Sequence, residues 1–107
     1  MIDLTEKQKK IIGDILREAA AGYEVRAYGS RVDGTSHAGS DLDLVLMGKK
    51  NSGQTPMARL REAFEESNLP FRVDIFDWNR LPESFRINIE KKYVVLQEAD
   101  DGLKENG

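Results

Sequence analysis

Three aspartates and a glycine–serine pair carry the chemistry that this sequence offers. Gly29-Ser30 is followed by ten residues and then by Asp41-Leu42-Asp43, and Asp74 stands alone in a later apolar segment. Asp41 and Asp43 are two apart in an alternating stretch. On a strand both carboxylates leave one face, while Leu42, Leu44 and Leu46 take the other. Like charges at close range repel, and a bound divalent cation is the simplest compensation. Hard oxygen ligands, with no Cys and one loop His, favour Mg²⁺ over Zn²⁺. Asp74 points away from the apolar face of its own segment. If the two segments are neighbouring strands, three carboxylates converge. That is a ligand set for two-metal phosphoryl or nucleotidyl transfer, in which the ions clamp the attacking and leaving oxygens. Gly29 lets the backbone come close to a phosphate, and Ser30 offers a hydroxyl and an N–H. Triphosphate and metals would then share one pocket.

Positioning these groups requires strands ending at one side of a sheet. Thr5 with Gln8 three residues on reads as a capping box. Leu4, Ile11, Ile12, Ile15, Leu16 and Ala19 share a helical face, predicting a helix over about 5–20 with Gly22 as its stop. Residues 24–28 alternate as a strand that runs into Gly29-Ser30. Small and polar residues over 30–40 predict a loop. Residues 41–47 form the second strand, with Asp41, Asp43 and Val45 on the face opposite the leucines. Thr55-Pro56 predicts a cap followed by Pro at the first helical position, and Met57, Leu60 and Phe64 give that helix its apolar side. Residues 71–76 alternate as a third strand, with Arg72, Asp74 and Phe76 on one face. Pro82 opens a third helix carrying Leu81, Phe85 and Ile89 four apart, and residues 93–96 add a short strand. The expectation is an α/β (α+β) domain over 1–97, a small mixed sheet of about four strands with helices on one face and the carboxylates on the other. A polar tail over 98–107 is expected to fray.

Composition limits the partners. The chain has 107 residues, 39% of them hydrophobic, which suits one core. Its net charge of −3 argues against direct nucleic-acid binding, which needs clustered Lys and Arg. No apolar run approaches the roughly 20 residues of a membrane span, and no apolar signal core opens the chain. Without Cys there is no disulfide framework and no thiolate site. A cytoplasmic protein is expected.

Other polar residues have plainer readings. Ser40 either caps a turn or touches the nucleotide. His37 reads as a surface loop residue before a general base. Asp77 falls, by spacing, past the third strand, so it is not the third ligand. Trp78 reads as a core or lid residue. Arg31 divides evenly between a phosphate contact and a surface charge.

Gly29-Ser30-x10-Asp41-x-Asp43 resembles the signature of the DNA polymerase β-like nucleotidyltransferase superfamily. The chain is similar to its minimal branch, the MNT (MntA-type) antitoxins paired with HEPN toxins, over residues 10–96. The resemblance implies that Gly29 and Ser30 contact the terminal phosphates of ATP and that Asp41 and Asp43 bind two Mg²⁺ ions. It implies that Asp74 completes the first metal site and helps to deprotonate the acceptor, and that Arg31 touches phosphate. Asp33-Gly34 departs from the pattern, since similar proteins often place a basic residue there. The activity implied is transfer of AMP from ATP to a tyrosine of a partner HEPN toxin, silencing it. Two other readings stand beside this one: a non-catalytic toxin-binding module with a vestigial nucleotide site, and a nucleotidyltransferase for a small, aminoglycoside-like molecule. For that last reading the chain is expected to be too short to build the acceptor pocket unless it dimerises.

Overall fold

Leucines at alternate positions of one strand fix how the domain is layered. The computed structural model describes residues 2–48 and 56–99. Its elements are α1 (Glu6–Ala19), β1 (Glu24–Tyr28), α2 (Ser30–Asp33), β2 (Leu42–Met47), α3 (Met57–Glu65), β3 (Val73–Asp77), a 3-10 turn (Trp78–Arg80), α4 (Glu83–Lys91) and β4 (Val94–Gln97). The strands form one mixed sheet in the order β3-β2-β1-β4. β1 is antiparallel to β2 and to β4, whereas β2 and β3 are parallel.

Helix α1 starts where the sequence says it should. The Thr5 hydroxyl accepts from Gln8 N–H at 3.1 Å, and the Gln8 side chain accepts from Thr5 N–H at 3.0 Å. Two donors of the first turn are thus satisfied reciprocally. Ile12 and Leu16 of α1, with Leu60 and Phe64 of α3, pack on Val25, Ala27, Leu42, Leu44, Leu46 and Ile75 of the sheet. Burying such apolar surface is the main driving force for the fold.

The structure differs from expectation in four places. The segment 30–40 is not loop throughout, because residues 30–33 make one helical turn closed by Gly34 in the left-handed region. Pro56 stands at the N-cap of α3 rather than at its first helical residue, and the expected Thr55 cap lies outside the described residues. Asp77 is the last residue of β3, paired with Leu46, rather than lying beyond the strand. Finally, α1 and α3 cover one face, but the other face also carries a smaller cap. Ile89 of α4 packs there with Tyr28 and Val45, flanked by Met47, Trp78 and Leu81. Val45 is fully buried as a result, while Asp43 and Asp74 on that face stay half-exposed. Of the tail, residues 100–107 lie outside the described residues.

Leu44 lies mid-strand and is 0% exposed. Leu44→Ala removes methyl groups that close packing cannot replace, and the loss should be about 2–4 kcal/mol. Equilibrium urea unfolding with an unchanged slope checks this.

Candidate active site

Parallel pairing of β2 with β3 brings the aspartates together. Asp43 and Asp74 are register partners, and on the other side of β2 Asp43 pairs with Tyr28. Asp41, just before β2, lies on the same side two residues earlier. Arg72 joins the outer pair: its Nη2 is 3.5 Å from Asp41 Oδ2, and its Nε is 3.3 Å from Asp74 Oδ1. The Arg72 carbonyl accepts from Leu42 N–H at 2.9 Å, which anchors that residue's backbone to β2. All three sequence-predicted carboxylates therefore lie at one end of the sheet.

Their electrostatics call for a cation. Burial holds the Asp43 carboxyl above the usual carboxylate range, and the charges of Asp74 and then Asp41 push it the same way. The Tyr28 hydroxyl is likewise held far above its ordinary value, by burial first and by Asp43 and Asp74 after it. No basic side chain among the described residues pairs with Asp43. As they stand, no three carboxylate or imidazole groups among the described residues are gathered tightly enough to hold an ion. Arg72 instead occupies the space between two of the three. A set of hard oxygens with an unneutralised member at its centre fits Mg²⁺.

Gly29 is demanded by this arrangement. Its φ is +85°, and a Cβ built there would sit 2.3 Å from Asp43 Oδ2. Any side chain would be strained in that backbone conformation and would collide with the central carboxylate. Gly29 is also the N-cap of α2, so Ser30 opens a turn whose first N–H groups have no carbonyl partner within the helix.

Arg31 plays a part that the sequence did not disclose. It is 4% exposed. Its Nε donates to Ser40 O at 3.0 Å, Nη1 to Asp3 O at 2.9 Å and Nη2 to Ala38 O at 3.0 Å. The guanidinium also stacks on Phe71 at 4.0 Å. The visible work of Arg31 is thus to pin the 36–40 segment and the N-terminal residues around the site. The only sequence signal was its position directly after Gly29-Ser30. Ser40 caps a turn, its Oγ accepting from His37 N–H at 2.9 Å, and His37 Nδ1 accepts from Gly39 N–H at 3.2 Å. His37 is an exposed loop residue. Asp33, at the departure from the family pattern, accepts from the hydroxyl and N–H of Thr35, which lowers its pKa. Asp77 is buried on the Ile75 side of β3 and accepts from Asn79 N–H at 3.0 Å, so it caps the 3-10 turn and stays out of the site. Trp78 packs against the smaller core, with Arg86 over its ring at 5.6 Å.

A parallel carboxylate pair beside a glycine–serine turn defines a nucleotidyltransferase, and residues 3–102 match the family model described as "Polymerase beta, Nucleotidyltransferase". The chain belongs to that family. Among its relatives is the probable protein adenylyltransferase MntA of Haemophilus influenzae, 41% identical over 99 residues, 92% of this chain and 87% of that one. A toxin–antitoxin crystallised with AMP-PNP shares the fold, with a TM-score of 0.67 at 19% identity over 92% of this chain and 78% of that chain. So does a Sulfolobus solfataricus protein proposed to be a nucleotidyltransferase, with a TM-score of 0.52 at 20% identity over 83% of this chain and 78% of that chain.

A carboxyl with a raised pKa favours folding while it is protonated and loses that contribution as pH rises through its folded value. Asp43→Asn abolishes this dependence. The variant should melt close to wild type near pH 3, below the ordinary carboxyl range, and above it at pH 7. Calorimetry without metal, across that pH range, reads the widening gap.

Proposed function

We infer that this chain is a Mg²⁺-dependent protein adenylyltransferase, moving AMP from ATP to a tyrosine hydroxyl of a partner HEPN toxin and so acting as its antitoxin. The observation that carries the reading is the register pairing of Asp43 with Asp74, with Asp41 two residues back, on the strand that returns from Gly29-Ser30. Membership of the family and 41% identity to a probable protein adenylyltransferase support the activity. The structural likeness to a toxin–antitoxin supports the kind of partner.

Asp41, Asp43 and Asp74 would hold two Mg²⁺ ions, which when bound neutralise the charge that builds up on attacking and leaving oxygens. Gly29 and the N–H groups that open α2 bind the terminal phosphates. Ser30 adds its hydroxyl. Arg31 acts behind them by fixing the 36–40 segment. Asp74, at the outer strand, takes the proton of the acceptor hydroxyl. The tyrosine oxygen bonds to the α-phosphorus as the bond to the bridging oxygen breaks, and pyrophosphate leaves. Among the described elements, all are used in the sheet, its cores or the site, so the acceptor is best presented by another molecule.

Incubation with α-labelled ATP, Mg²⁺ and the product of the adjacent gene tests this. Label should pass to a tyrosine of that partner, and Asp43→Asn should slow transfer by roughly a thousandfold or more. No labelled partner, or full labelling by the Asp41→Asn/Asp43→Asn double variant, would remove the reading. Toxin neutralisation by that double variant would point to a binding module instead.

A further inference from the structure

Arg72 has no part in the chemistry described above, yet it is the one basic side chain among the described residues that touches the carboxylate cluster. Its side chain is 74% exposed, so nothing buries it there. It bridges the two outer carboxylates, one just before β2 and one on β3, and leaves the central one alone. Its backbone is fixed by the bond from Leu42, so only the side chain is free to swing. With Asp74, Phe76 and Arg61 it lines an open groove of about 520 Å³ at β3.

We propose that Arg72 is an internal counter-ion that competes with the divalent cation: it bridges Asp41 and Asp74 when the ion is away and is expelled toward the β3 groove when the ion enters. It is a positioning residue for the metal site. The inference rests on the metal reading of the three carboxylates. Its physical basis is that one positive charge within 3.5 Å of two ligands lowers their attraction for another cation.

The test measures Mn²⁺ binding to the intact chain without nucleotide, by titration calorimetry and by the spin-resonance signal of free Mn²⁺. Arg72→Gln should bind Mn²⁺ roughly three- to tenfold more tightly than wild type. Arg72→Lys, which keeps the charge, should stay near wild type. Because the side chain is exposed, melting temperatures should move little, and general damage to the site would weaken the ion rather than tighten it. Equal or weaker binding by Arg72→Gln, or equal tightening in Arg72→Lys, overturns the counter-ion role while leaving the metal reading intact. Absence of Mn²⁺ binding from wild type and both variants overturns the metal reading and this inference together.

Discussion

One carboxylate organises this molecule. Asp43 sits between Tyr28 on one neighbouring strand and Asp74 on the other, half-buried, with Asp41 close by. Confining negative charge in this way is unfavourable unless something positive arrives. The surroundings are built to keep the strain rather than relieve it. Gly29 gives up its side chain so that the carboxylate can lie against its backbone. The buried phenol of Tyr28 stays neutral, and so adds no second charge. A fold that merely needed stability would place an apolar residue at this position. An ionisable group kept there fits the proposed role of the site in receiving a cation and the anion it carries.

The rest of the architecture serves that position. The leucines of β2 fasten the strand to α1 and α3, so the opposite side chains are aimed with little freedom. Parallel pairing with β3 converts two sequence-distant aspartates into neighbours, 31 residues apart along the chain and side by side in the sheet. The small core of Tyr28, Val45 and Ile89 closes the far half of the face and leaves the acidic end open. Arg31, from within, ties the segment between Ser30 and Asp41 to the N-terminal residues. The Gly29-Ser30 turn and the three carboxylates are thereby held by one set of contacts.

Much of this could be read from residue order. Alternation in 41–47 exposed the Asp/Leu division because a strand's side-chain period is two. The capping box at Thr5 and Gln8 located a helix start to the residue, because it depends on two local side chains. Asp74 needed a guess about which strands pair, a long-range fact that periodicity does not contain. What stayed hidden shares that character. The turn at residues 30–33 is a single helical turn in a run of small polar residues, with no period to detect. Arg31 looked like a surface or ligand charge because its partners are backbone carbonyls, which carry no sequence signature. Val45 was placed on the correct face, but its burial depended on where α4 comes to rest. Asp77 was excluded from the site for the wrong reason: it belongs to the strand, and what removes it is that it faces the opposite way from Asp74.

The central claim is that three aspartates and a glycine-opened turn form one place for metal and triphosphate. Anomalous scattering from crystals grown with Mn²⁺ and a non-hydrolysable ATP analogue tests it most directly. The account predicts manganese peaks coordinated by Asp41 and Asp43, with Asp74 on one of the ions and the terminal phosphates against Gly29 and Ser30. Manganese bound elsewhere, or nucleotide held away from that turn, would contradict it.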